Sequence, residues 1–196
     1  HPDESGAWIP LQPSARPGDI RFVDQNGDGQ LDNDDKVLVG TGNPKLILGF
    51  NAYLHYKAFD LSAQFYGNMG AKRYNYTKYQ LQRMDQVFNY GKDALDSWRP
   101  DNPDTDIPRA VIGNNRISDR FVENGDFLRL NNLQIGFNLP DRACKKLGLG
   151  SLRIYVGGRR LFTLTKYTGY DVTTGASNGT MGVDYGGYPL YRTYMA

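Results

Sequence analysis

Between Leu46 and Tyr56 the chain alternates strictly. The even positions Leu46, Leu48, Phe50, Ala52, Leu54 and Tyr56 are apolar or aromatic, while the odd ones include Gly49, Asn51, Tyr53 and His55. Alternation with a period of two predicts a β-strand with two unlike faces. After the short link Lys57–Asp60, Leu61, Ala63 and Phe65 alternate with Ser62, Gln64 and Tyr66. Two strands joined so closely predict an antiparallel hairpin. The pattern returns at Phe127–Pro140, where Leu133, Ile135, Phe137 and Leu139 share one side and Gln134, Gly136 and Asn138 the other. Its phase slips at Asn131-Asn132, which predicts a β-bulge. A further strand is expected over Leu152–Gly157 and a last one within Tyr188–Ala196. Between these runs lie short links at 57–60 and 141–150 and long ones at 68–126 and 168–187. Within the first long link, Leu81, Met84, Val87 and Phe88 fall near helical spacing and predict one short helix over Tyr79–Tyr90.

The composition narrows what such strands build. The 196 residues include 14 Tyr and 23 Gly, which suits strands, tight turns and wet surfaces better than a helical bundle. A formal net charge of +2 gives no electrostatic case for nucleic acid. Mean hydropathy is −0.59 and no apolar run reaches the roughly 18 residues of a membrane helix, yet a membrane β-barrel passes both tests, because its strands alternate. The single cysteine, Cys144, leaves no internal disulfide framework. The chain opens in Pro-rich coil and stops within a strand-like run, so it is expected to be a segment of a longer polypeptide.

The strongest local chemistry is the stretch Val23–Lys36, VDQNGDGQLDNDDK. With Asp24 at position 1 of a calcium loop of about twelve residues, Asn26 falls at 3, Asp28 at 5, Gly29 at the turn, Gln30 (through its carbonyl) at 7, Asp32 at 9 and Asp35 at 12. A hard cation needs six to eight oxygens at about 2.3–2.6 Å, and alternate residues around a tight turn supply them. Asp24, Asn26, Asp28, Gln30, Asp32 and Asp35 are therefore the expected ligands of a structural Ca2+. A solvated acidic turn is the plainer alternative. No catalytic residue or organic cofactor is expected. With only His1, His55 and Cys144 there is no zinc set, and no G-x-S-x-G, P-loop or G-x-G-x-x-G string occurs. Asp101 and Asp104 sit in Pro/Asn-rich coil and read as turn residues rather than a glycosidase pair. His55 reads as a hydrogen-bonded lining residue rather than a metal ligand.

An ordered series of short motifs carries a resemblance. It runs Pro17-Gly-Asp-Ile-Arg21, Asp24-Gln-Asn-Gly-Asp-Gly29, Gly42-Asn-Pro-Lys45, Gly49-Phe-Asn51 and Lys57-Ala-Phe-Asp-Leu61. It continues with Trp98, Asn102-Pro103, Pro108-Arg109, Phe127-Leu-Arg-Leu-Asn-Asn-Leu133, Gly136-Phe-Asn-Leu-Pro140, Arg159-Arg-Leu-Phe-Thr163, Gly169-Tyr-Asp171, Tyr188-Pro189 and Arg192-Thr-Tyr194. In this order the chain resembles the C-terminal portion of SusC/RagA-family TonB-dependent outer-membrane transporters of Bacteroidetes. It departs from the family pattern at Gly157-Gly-Arg-Arg160, where members usually carry a Gln-Asn pair, and in lacking the terminal aromatic after Ala196.

The resemblance implies an all-β fold: antiparallel strands forming the last part of a transmembrane barrel of about 22 strands, with long extracellular loops and one short helix. Residues 1–45 would be an extracellular loop with the calcium-binding turn, 46–67 a barrel hairpin and 68–126 a long extracellular loop. Residues 127–196 would be barrel strands with a glycine-rich loop at 168–187. The even face of Leu46–Tyr56 would meet lipid and the odd face the lumen. Tyr53, Tyr56, Tyr155 and Tyr170 would belong mostly to an interfacial girdle, with the lining of a nutrient path as the alternative. The implied function is import of glycan or peptide nutrients at the outer membrane, without catalysis. The implied partners are a SusD-like surface lipoprotein and TonB, reached through an upstream segment. A secreted, calcium-stabilised β-domain that binds carbohydrate is the competing reading.

Overall fold

The computed structural model describes residues 10–87, 89–112, 114, 116–173 and 181–196. In chain order the elements are strands β1 (Leu46–Tyr56), β2 (Phe59–Met69) and β3 (Lys72–Asn75), helix α1 (Tyr76–Gln82), and strands β4 (Val122–Asn124) and β5 (Phe127–Asn138). Helix α2 (Asp141–Lys146) and strands β6 (Arg153–Thr165), β7 (Val183–Asp184) and β8 (Thr193–Met195) follow. They fall into two units. One holds Gly40–Asn75 with Val122–Ala196; the other holds the chain up to Val39 with Tyr76–Phe121.

The first unit is built on a five-stranded antiparallel sheet, ordered β1-β2-β5-β6-β8. Register sorts its side chains into two faces. Phe50 lies opposite Phe65, Leu54 opposite Leu61 and Tyr56 opposite Phe59. The same row continues through Leu133, Ile135 and Phe137 of β5 into Val156 and Ile154 of β6. This face is apolar across four strands and exposed: Phe50 keeps 62% of its surface and Leu54 63%. The other face carries Asn51, His55, Asp60, Ser62, Gln64, Arg129, Asn132, Gln134, Asn138, Arg153 and Arg159, by the same register. Strand period alone produces this division, because successive side chains point to opposite sides.

The hairpin link is only Lys57-Ala58. Lys57 takes φ 55°, the left-handed turn that reverses so short a connection, and Asn138 N–H donates to the Ala58 carbonyl at 2.7 Å. The predicted bulge is present. Register shifts between Leu130 and Asn132, leaving Asn131 unmatched against β2, and β6 absorbs a further residue there, with Arg160 at φ 55°. The irregularity therefore runs across three strands. Beyond it, Phe127, Tyr167 and Val172 form a small buried cluster. A second sheet, β4-β3-β7, lies in the same unit, with β3 antiparallel to β4 and parallel to β7.

Several expectations need correction. Helix α1 begins earlier than predicted and ends at Gln82, because Gly91 N–H takes the Leu81 carbonyl and the chain turns back. The link 141–150 contains a second helix, α2, with Asp141 in its first turn and Lys145 and Lys146 in its last, complementing the helix dipole. Strand β6 does not stop at Gly157; Gly157 and Gly158 pair with Gln134 and Leu133, and the strand runs to Thr165. The final run contributes only Thr193–Met195. Tyr53 and Tyr155 occupy odd register and share the polar face, so neither belongs to a girdle on the apolar one; of the four tyrosines only Tyr56 lies there. Tyr170 lies outside the strands.

In the second unit, α1 and a 3-10 turn at Asp119–Phe121 meet through Tyr79, whose ring stands edge-on to Phe121 at 5.3 Å. Buried Gln82 donates to Asp93 and accepts from Arg120. Motifs far apart in sequence meet here. Arg109 grips the Asp19 carboxylate with two hydrogen bonds at 3.0 and 2.9 Å, and Asn114 adds a third at 3.0 Å. Gly18, at φ 86°, lies under Trp98; a Cβ there would stand 2.4 Å from the indole, which is why the position takes glycine.

Candidate functional site

The acidic loop folds as a ring of side-chain-to-backbone hydrogen bonds. Asp24 accepts from Gly27 N–H at 2.6 Å and Gly29 N–H at 2.8 Å, with both glycines at positive φ. Asp35 accepts from Gln25 N–H at 2.7 Å and Asp32 N–H at 2.9 Å. These backbone bonds from Gln25 and Asp32 lower its pKa below the usual carboxylate value. The Asp28 carboxylate accepts from Gln30 N–H at 2.8 Å and from the Asn26 side-chain amide at 3.0 Å. Asp32 accepts from Asp34 N–H at 2.8 Å. The ring brings Asp24 to Asp35 and Asn26 to Asp28. Among the described residues, no three His, Cys, Asp or Glu side chains gather as a metal site. The donor set is all hard oxygen, and each carboxylate oxygen that accepts one N–H keeps a further lone pair.

The polar face of the large sheet holds chemistry that no local pattern disclosed. Arg129 and Asp171 form an ion pair at 2.8 Å, with side chains only 8% and 5% exposed. Asp171 also accepts from Thr173 N–H and hydroxyl at 2.9 and 2.7 Å and from Leu190 N–H at 3.1 Å. Burial would raise its pKa. The bonds from Thr173, Arg129 and Leu190 outweigh that and hold it below the usual carboxylate value. Tyr167 donates to Asp184, and burial with that carboxylate pushes the phenol far above its ordinary value. At the hairpin end, Asp60 accepts from Arg153 at 2.6 Å and Asn138 at 2.9 Å. Gly136 lies between them; a Cβ there would stand 2.6 Å from the Asp60 carboxylate oxygens and 2.7 Å from Arg153 Nη2. These pairs join residues up to 93 positions apart, so only the folded chain brings them together.

No family model matches the chain. It is 36% identical over 191 residues to TonB-dependent receptor P3 of Formosa agariphila, a match covering 94% of the chain and 19% of that receptor. It is 25% identical over 189 residues to TonB-dependent receptor SusC of Bacteroides thetaiotaomicron, covering 93% of the chain and 17% of SusC. Among solved structures, the RagAB peptide importer in its closed-closed state superposes with a TM-score of 0.74 at 28% identity, over 85% of this chain and 18% of the importer chain. The chain thus spans about a fifth of the length of the curated relatives it matches, 19% for the first two. A sheet with one apolar face and one polar face suits that company, and the secreted soluble alternative falls with it. The chain is a segment of a SusC/RagA-family TonB-dependent receptor of the outer membrane.

Proposed function

We propose that the chain supplies part of the wall and loop apparatus of an outer-membrane importer of glycan or peptide nutrients, driven through TonB and working with a SusD-like lipoprotein. Its role is passage and gating, not catalysis. The observation that carries this reading is the sheet itself: one face is apolar over four strands while the other is lined with amides and ion pairs. Lipid would cover the first and cargo would pass the second. The test is to delete the full-length receptor gene and follow uptake of labelled oligosaccharide and oligopeptide mixtures, with membrane fractionation alongside. Loss of uptake of one cargo class, with the receptor in the outer-membrane fraction, supports the proposal. Unchanged uptake of both classes refutes it.

We also propose that the acidic loop binds one structural Ca2+ on the extracellular side, held by Asp24, Asn26, Asp28, Asp32, Asp35 and the Gln30 carbonyl. The spacing and the hard-oxygen donor set support this, and the N–H bonds already curl the loop into a ring. The ion would stiffen the loop rather than act on cargo. Calcium at millimolar concentration is expected to slow proteolysis within residues 23–36, and Asp28→Ala is expected to abolish the effect. Calorimetry showing no heat of binding at millimolar Ca2+ would end this proposal.

A further inference from the structure

Most guanidinium groups of the polar face are tied. Arg129 holds Asp171 and Thr163, and Arg153 holds Asp60. Arg160, at the bulge, donates to the Tyr191 carbonyl at 2.8 Å and lies over the Tyr191 ring. Arg159 differs. It sits in regular register on the polar face, opposite Asn132 on one side and Thr193 on the other, it is exposed, and it has no partner among the described residues. Its neighbours on that face are neutral amides and hydroxyls: Asn132, Gln134, Gln64 and Thr193. No carboxylate is paired beside it in the register.

Gly157, two residues along β6 on the same face, presents no side chain. A Cβ there would stand 3.1 Å from the Leu133 carbonyl oxygen, 3.5 Å from Met195 Cε and 3.6 Å from Gln134 Cγ, so these groups close over the glycine beside Arg159. Beyond Gly157 lies Tyr155, with the Arg153 guanidinium 5.5 Å from its ring centroid. At the strand rise, Tyr155 and Arg159 are roughly 13 Å apart. Arg159 thus stands on the polar face with amides beside it and an aromatic ring further along the same strand. Next to it, Arg160 takes φ 55° where β6 absorbs the bulge, and its own guanidinium is held by Tyr191.

We infer that this stretch of the polar face is a cargo subsite selecting for an anionic group, a carboxylate or sulfate, which Arg159 binds beside the Asn132 and Gln134 amides. The inference rests on the import reading and deepens it by naming a charge preference. A guanidinium fork binds such oxyanions in two-point fashion, and amides beside it complete the oxygens without adding repulsion.

The experiment uses the full-length receptor in detergent and two matched probe pairs. One pair is a hexapeptide with a single Glu and its Gln counterpart. The other is a tetrasaccharide with a single uronic acid and its neutral counterpart. The readout is the affinity ratio of charged to neutral member. In the unaltered receptor one pair is expected to favour the charged member, and which pair does so identifies the source of the anion. Arg159→Gln is expected to lower that ratio roughly tenfold or more, while Arg159→Lys, which keeps the charge, retains most of it. A ratio unchanged in Arg159→Gln overturns the subsite. So does an equal loss of both members in both variants, which would mean that Arg159 pairs with a carboxylate elsewhere in the receptor. Neither pair discriminating in the unaltered receptor also overturns it. An unaltered receptor that binds none of the four probes defeats the import reading instead, and the subsite with it.

Discussion

Asp171 organises the segment that follows β6, and its removal can be given a size. Its carboxylate meets Arg129 at 2.8 Å, with side chains 5% and 8% exposed, and takes three further bonds from Thr173 and Leu190. Asp171→Ala leaves a buried guanidinium with its Thr163 contact and the Phe127 ring but without its counter-charge. Removing one partner of a buried ion pair costs about 3–5 kcal/mol. At the lower bound, and at about 1.4 kcal/mol per tenfold, opening of the segment Tyr167–Thr173 becomes on the order of 100-fold more frequent. Hydrogen exchange on the detergent-solubilised receptor reads this directly, because local opening exposes the amides of that segment. Replacing both charges, Arg129→Met with Asp171→Leu, removes the stranded cation as well as the pair, and is expected to recover most of the protection. A single Asp171→Ala that changes exchange less than threefold refutes the argument. So does a double variant as open as the single one, which would place the effect in the Thr173 and Leu190 bonds rather than in the charge.

Two more expectations follow from the same networks. The Asp171 carboxyl has a folded-state pKa below its usual 3.8, so its stabilisation is present above that value and is lost as pH falls through the folded one; peptic cleavage within 166–173 should stay slow at pH 4 and accelerate below it, and cleavage already fast at pH 5 would contradict this. Gly136→Ala places a methyl where the Asp60 and Arg153 groups meet, so it should part that pair and disturb the exit of the β1–β2 hairpin, whereas Gly49→Ala, which meets nothing within 4 Å, should not; equal heat-induced unfolding of the two variants on gel-shift analysis would show the clasp to be unimportant.

What the sequence disclosed and what it hid follow physical lines. Strands β1, β2 and β5 were legible because alternation is local, and the Asn131 bulge showed as a slip of phase. Strand β6 was read too short because two glycines look like an ending, although a paired neighbour carries them. Helix α2 had its signals in view: Pro140 at the start, Asp141 in the first turn, the Lys145-Lys146 pair, then Gly148 at φ 68°. The short strands β3, β4 and β7 were not legible, since two to four residues carry no period and their pairing joins distant segments. The acidic loop could be singled out because its carboxylates lie in one stretch, and its ring of backbone hydrogen bonds is equally local. The ion pairs of Asp171 and Asp60 were not, because Asp60 meets Arg153 across the strand register and Asp171 reaches Arg129 from the segment after β6.

The outer edge of β1 has a consequence for how such a wall enters a membrane. Strand β1 ends the described sheet on one side, so the backbone N–H and C=O groups along that edge have no strand to answer them among the described residues. In hydrocarbon each unanswered group costs several kcal/mol, so the apolar face cannot draw these strands into the bilayer by itself. Insertion has to await a neighbouring strand of the same receptor. That makes membrane entry and ring closure one cooperative event, and it makes these strands a poor candidate for folding in isolation.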